Sequence, residues 1–190
     1  MANNKQLFVT PVAPIRWCKL LGAARENQFE PTKLPTWSCE LLLSQDNQAH
    51  QQWLLMMEDQ LQSAHPGAPK ISRNGLPWQQ GEKTEKDDDT GLVIVRFKLP
   101  CFTRKDGSTS PGPKVIDADK QPWDQAVEIG NGSQVRIAAS IYPWSGPSGV
   151  GMTLEPMHVQ VIAHIPMVRN EAEDVDAIFP DSPQADAIPF

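Results

Sequence analysis

The sequence predicts an all-β chain with one inserted helix, folded as a small closed Greek-key barrel with long loops. Three observations carry that prediction. Three segments alternate apolar and polar residues with a period of two, the pattern of half-buried strands. A single stretch places apolar residues at helical spacing. The 190 residues include 18 prolines, too many for an all-helical build.

In chain order, residues 15–20 and 36–43 read as weaker strands. After Ser44, "QDNQAHQQWLLMMEDQLQSAH" combines helix formers, a cap at Ser44 or Asp46, and a stripe of Ala49, Trp53, Met56, Met57, Leu61 and Ala64. "PG" at 66–67 ends this helix. It interrupts the strands once, so it plugs or covers the barrel and is not one of a βαβ series. Residues 66–90, rich in Pro, Gly and charge, read as a long loop. In "GLVIVRFKLP" (91–100), Val93, Val95, Phe97 and Leu99 share one face, and Leu92, Ile94, Arg96 and Lys98 the other. "TRKDGSTSPGP" (103–113) is a second loop. In "SQVRIAASIYPW" (133–144), Val135, Ile137, Ala139 and Ile141 oppose Arg136, Ser140, Tyr142 and Trp144. "MHVQVIAHI" (157–165) aligns Val159, Val161, Ala163 and Ile165. There is no internal repeat. The oligonucleotide/oligosaccharide-binding (OB) barrel, five-stranded and Greek-key, is the commonest fold of this kind at this size. A β-sandwich meets the same counts.

The net charge of -6 is unevenly spread. Residues 171–190 carry six carboxylates and no Lys or Arg, which leaves 17 acids against 17 Lys and Arg in residues 1–170. The expected organisation is a neutral folded domain over 1–170 and an acidic interaction tail over 171–190. No apolar run is long enough to span a bilayer and no basic-then-apolar leader opens the chain, so a soluble protein retained where it is made is expected.

Catalysis is disfavoured. There is no Gly-rich phosphate loop, GxSxG or HExxH, and "GPSGVG" (146–151) lacks the Lys-Ser/Thr of a phosphate loop. "DDD" at 87–89 reads as a solvated turn in a charged loop, not a divalent-metal site. Cys18, Cys39 and Cys101 are widely spaced, and His50, His65, His158 and His164 add no metal-ligand pattern, so reduced core thiols are expected. No metal and no cofactor is implied.

The strand faces offer binding chemistry instead. Arg96 and Lys98 protrude from one strand, Arg136, Tyr142 and Trp144 from another, and Arg104, Lys105 and Lys114 sit in or beside the adjoining loop. Cations track a phosphate backbone, and aromatic faces stack on any base. The competing reading is that the two aromatics close the barrel end and the cations are ordinary surface. Trp37 and Trp53 fit the core, Trp17 fits either core or surface, and Trp78 and Trp123 fall in loops as stacking wings or lids.

"GPKVIDADKQPW" (112–123), followed by "GSQVRIAASIYPWSGPSGVGMTLEPMHVQVI" (132–162), resembles the phage single-stranded DNA-binding proteins of the podophage replication type. The shared pattern is a K-x-V-x-D-x-x-x-x-P segment, then a G-S-x-V-[KR] strand running into an aromatic pair and a Gly-containing turn. The resemblance covers roughly the C-terminal half; residues 1–90 match only in length and general pattern. It implies an OB core, cooperative or semi-cooperative cover of single-stranded DNA (ssDNA), homodimers, and tail contacts to phage DNA polymerase and helicase–primase in the cytoplasm of the infected host. It also sets Lys114, Arg136, Tyr142 and Trp144 at matching basic and aromatic positions. The tail departs from the family pattern, being sparsely acidic with a "D-x-I-P-F" tip closer to bacterial housekeeping ssDNA-binding proteins.

That tip explains the chain's terminal phenylalanine. Six carboxylates with Pro180, Pro183 and Pro189 cannot bury enough apolar area to fold. Asp186, Ile188, Pro189, the Phe190 ring and the free carboxylate form a docking peptide for an apolar pocket rimmed by Arg or Lys. Two functions are therefore in view. The first is a non-catalytic protein that coats ssDNA in phage replication, recombination or repair and recruits enzymes through its tail. The second is an OB-like interaction module that docks on host replication partners without binding nucleic acid.

Overall fold

The computed structural model of the chain describes residues 6–67, 70–73, 75–80 and 91–167. The acidic triplet at 87–89, the boundary expected at 170, and the tail with Asp186, Ile188, Pro189 and Phe190 lie outside them.

The order of elements is β1 (Phe8–Val9), β2 (Ala13–Lys19), β3 (Thr36–Ser44), α1 (Gln48–Ala64), β4 (Trp78–Gln80), β5 (Leu92–Pro100), β6 (Lys114–Ile116), β7 (Gln134–Gly146) and β8 (Gly149–Ala163). Five of these strands close a ring. β2 pairs with β3, β3 with β5, β5 with β8, β8 with β7, and β7 returns to β2. Every pairing in the ring is antiparallel except β5 with β8. This is an OB barrel, and closure removes the open edges of its five strands. Three short strands are added outside the ring, β1 on β7, β4 on β5 and β6 on β8.

The inward faces largely follow the alternation. Val93, Val95 and Phe97 of β5, Val135, Ile137 and Ala139 of β7, and Leu154, Val159 and Val161 of β8 are buried together. β3 contributes Trp37, Cys39, Leu41 and Leu43 in strict alternation. The helix joins this core through Trp53, Met57 and Leu61. Buried His50 accepts from the Ser44 N–H at Nδ1 (2.9 Å) and faces the Val12 carbonyl at Nε2 (3.1 Å), which sets its proton on Nε2. All three cysteines are free, with Cys39 buried and Cys18 and Cys101 half-buried. Burial pushes the Cys18 thiol up to about 11 and Cys39 well above its ordinary value.

Several expectations are corrected. The helix is capped by Asn47, not Ser44 or Asp46, because Ser44 still belongs to β3 and the Asn47 side-chain Oδ1 accepts from the Ala49 and His50 N–H groups. Its buried stripe includes His50 and omits Ala49, Met56 and Ala64. The supposed loop of residues 66–90 contains β4, so Trp78 stands on a strand paired with Val95. Ser140 is buried and donates to Glu155 (3.1 Å). Ala163 and Ile165 are exposed rather than in the core, and Ile94 is buried rather than exposed.

Candidate nucleic-acid interface

The outer face of β2, β3 and β5 is ordered by register into two rows. One row runs Lys19, Ser38, Lys98, and the next runs Arg16, Glu40, Arg96. In the second row Glu40 is clamped from both sides. Arg16 Nε reaches its Oε2 at 2.7 Å and Arg96 Nε its Oε1 at 2.9 Å. Burial alone would raise the Glu40 carboxyl, but the hydrogen bonds from Arg96 and Arg16, with their charges, outweigh it and hold it below its ordinary value. Arg16 and Glu40 are mostly covered, whereas the Arg96 side chain is 47% exposed. Lys19 and Lys98 have no ion-pair partner among the described residues and stand exposed.

At the β2 edge the pairing register slips between Arg16 and Lys19. Trp17 sits in that slip with φ 51 and is 61% exposed. A left-handed backbone is uncommon for a bulky residue and costs about 1–3 kcal/mol. The Asn131 side-chain oxygen holds it there by accepting the Trp17 N–H at 2.9 Å. A shallow hollow of about 240 Å³ joins Trp17, Lys19, Ser38, Glu40, Arg96 and Lys98.

On the other side of β5 a groove of about 580 Å³ brings Arg96 and Lys98 together with Arg73, Trp78 and Thr153. Thr153 is the register partner of Tyr142, which is 55% exposed. Trp144, two residues on, shares that face opposite Gly151, and its indole lies so close that a Cβ at position 151 would meet Cζ2 at 2.4 Å. The same Cβ would meet Gly75 Cα at 2.5 Å, so three chain segments converge where two glycines allow it. The hairpin carrying both aromatics is braced by Lys70, Ser72 and Gly75. Ser72 N–H reaches the Val150 carbonyl, Val150 N–H the Lys70 carbonyl, and Met152 N–H the Gly75 carbonyl, at 2.8–3.0 Å. Trp144 is thus half-buried, and Tyr142 is the freer stacking face.

The expected site residues therefore fall in separate places. Arg96, Lys98, Tyr142 and Trp144 belong to one band that runs round the barrel from β2 to β7. Arg104 and Lys105 are exposed on the loop that leaves β5 beyond Pro100, in a turn closed by Gly107 N–H to the Arg104 carbonyl (3.0 Å). Lys114 pairs with His158 and Arg136 with Gln160. Those partners lie five and seven residues beyond Thr153 along β8, about 16 and 23 Å away at strand spacing. Lys114 and Arg136 form a second exposed patch apart from the band.

Sequence reading did not select Arg16, Lys19, Glu40 and Arg73, and it left Trp17 and Trp78 undecided. Arg16 and Lys19 of β2 were hidden because the slip at Trp17 breaks the alternation that would have placed them on one face. Trp123 is a lid: its indole N–H donates to the Val127 carbonyl (2.8 Å) and its ring meets His164 edge-on at 5.1 Å.

No protein-family model matches this chain, and no curated protein does. Solved structures do. Bacteriophage T7 gp2.5, a single-stranded DNA-binding protein, superposes with a TM-score of 0.67 over 98% of this chain and 100% of that one, at 15% identity. The single-stranded DNA-binding protein of bacteriophage Enc34 gives 0.59 over 90% and 88%, at 16% identity. Its complex with ssDNA gives 0.63 over 88% and 100%, at 14% identity. The chain has the fold of phage single-stranded DNA-binding proteins.

Proposed function

We propose that this chain, built on the fold of the phage single-stranded DNA-binding proteins, itself binds ssDNA along the band from Trp17 to Tyr142. The observation that carries the reading is the alignment of Lys19, Lys98, Arg16 and Arg96 in two register rows, flanked by exposed aromatic rings on either side. Cations at strand spacing meet successive phosphates, and the indole of Trp17 and the phenol of Tyr142 accept bases of any identity. The face lies on the second and third strands of the ring, with the β7–β8 hairpin beside it, where OB barrels receive oligonucleotides. Lys114 and Arg136 serve a strand long enough to wrap past the band, and Arg104 and Lys105 extend its cationic end.

The protein acts without catalysis, by covering exposed single strands. Its role is phage replication, recombination or repair in the host cytoplasm. It works as a homodimer, and its tail recruits polymerase or helicase–primase through Asp186, Ile188, Pro189 and Phe190. The support for the tail is its composition alone: six carboxylates ahead of a terminal aromatic, tethered to a neutral body.

Titration with oligo-dT tests the central claim. Stacking on Trp17 and on the Tyr142–Trp144 hairpin quenches tryptophan emission, and binding weakens as salt rises. Unchanged emission, or tight salt-independent binding to one duplex sequence, overturns it.

A further inference from the structure

Trp17 borders two hollows at once. Beyond the shallow one over Glu40, it lines a second of about 400 Å³ between the end of β2 and residues 125–131, with Lys19, Arg25, Gln125, Asn131 and one acid, Glu128. We infer that this second hollow takes one nucleotide of the bound strand, its base against Trp17 and its phosphates toward Lys19 and Arg25. The inference rests on the ssDNA reading above and adds to it a base-holding subsite away from the β3–β5 face.

Its volume lies within the range of small-ligand sites, about 300–1,000 Å³. Its chemistry is that of a base and a phosphate together. Asn131 spends its side-chain oxygen on the Trp17 N–H, and its Nδ2 has no acceptor among the described residues. Gln125 makes only long contacts, accepting from Gly22 N–H and donating to the Trp123 carbonyl, both at 3.4 Å. A side-chain amide carries donor and acceptor side by side, the pattern that base edges present. Lys19 and Arg25 have no ion-pair partner among the described residues and are exposed.

The strained backbone fits this role. The left-handed φ of 51 at Trp17 turns the ring out of the strand, and the residue that holds it, Asn131, is itself a wall of the hollow. A core residue would gain nothing from such a conformation, and an indole left 61% exposed gains little from burial. An aromatic wall between two hollows in which cations outnumber the single acid of each, Glu40 and Glu128, gives a single strand one surface to stack on as it passes from one to the other.

The test uses the full chain and labelled oligo-dT from 4 to 20 nucleotides. Arg25→Ala and Gln125→Ala, both on exposed residues, are expected to weaken binding of the longest oligonucleotide about five- to tenfold and to shorten the occluded length by at least one nucleotide. Trp17→Gly is expected to melt no lower than wild type, since glycine accepts the left-handed backbone, while binding at least tenfold more weakly. If these variants match wild type at every length while Lys98→Ala weakens binding, the ssDNA reading stands and the subsite is overturned. If wild type binds no oligonucleotide, the ssDNA reading and the subsite fall together.

Discussion

Replacing Glu40 with glutamine separates what the carboxylate does for the fold from what it does at the band. Both arms of the Arg16–Glu40–Arg96 bridge are hydrogen-bonded, at 2.7 and 2.9 Å. The Arg16 arm is well covered, with 18% and 17% side-chain exposure, so a charge-assisted bond there contributes about 1.5–3 kcal/mol. The Arg96 arm is half exposed and screened, and is worth about 0.2–1 kcal/mol. Glutamine keeps one acceptor, so Glu40→Gln is expected to cost about 1–2 kcal/mol, or roughly 3–6 °C in melting temperature for a domain of this size. The pH dependence has a fixed sign. The folded-state carboxyl is held below its ordinary value of 4.5, so its stabilisation is full above that value and is lost as pH falls through the lower folded value. Glu40→Gln therefore melts below wild type at neutral pH, and the gap narrows in acid. On DNA the effect reverses. Removing the anion between Arg16 and Arg96 relieves a repulsion of about 1 kcal/mol or less with a nearby phosphate in water, up to roughly fivefold tighter binding at low salt. Thermal melts at pH 7 and pH 3.5, with oligo-dT titrations at 20 mM salt, read both. A variant equally stable at pH 7 refutes the clamp, and a stable variant that binds more weakly shows Glu40 contacting the strand itself.

Tyr142→Ala is expected to lose about 1–3 kcal/mol of ssDNA affinity with little change in melting, measured by fluorescence titration. Trp144→Ala loses a similar affinity and also melts lower, because its indole packs on Gly151. Lys98→Ala should reduce the slope of log affinity against log salt by about 0.7 for each phosphate contact removed. Arg136→Ala and Lys114→Ala are expected to leave short oligonucleotides unaffected and to weaken those long enough to reach beyond the band; equal losses at every length would show the patch to be part of it. Deleting residues 171–190 should tighten ssDNA binding, most at low salt, because a tethered polyanion competes for the cationic band. Deleting Phe190 alone should spare DNA affinity and abolish capture of the polymerase or helicase.

Much of the fold was legible because alternation is a local property. Most inward residues of β5 and β7, with Val159 and Val161 of β8, follow from period two, and the helix from its apolar spacing and the Pro-Gly that ends it. What escaped is what depends on partners distant in sequence. β4 is three residues long, and nothing within it distinguishes a strand from the loop around it until it pairs with Val93–Val95, the part of β5 that its single pairing with β8 at Phe97 leaves uncovered. Ring closure depends on β5 meeting β8 in parallel, recorded at Phe97 with Leu154, and no local pattern encodes that meeting. Asn47 was passed over as the cap because Ser44 is an equally good capping residue in isolation; the nine-residue pairing of β3 with β5 claims Ser44 for the sheet.

One half of the proposed band was legible in the sequence, for a physical reason. Arg96 and Lys98 on β5, and Tyr142 and Trp144 on β7, each lie two residues apart, so each pair shares a face by counting even though Ile94 is buried and β7 bulges at Ala138–Ala139. The other half hangs on the slip at Trp17. In "IRWCK" an undisturbed strand would put Arg16 and Cys18 on one face and Trp17 and Lys19 on the other. The extra residue changes the phase: Arg16 and Lys19 both reach the outer face, Cys18 turns toward the core, and Trp17 is left over at a left-handed backbone. The side chain of Asn131, 114 residues away, keeps the slip at Trp17. A residue in that position is neither core nor ordinary surface, which is why its sequence context reads equally well both ways. The strain it carries has no return in packing, and the stacked base proposed for it would use the exposed indole together with the neighbouring cations and amides.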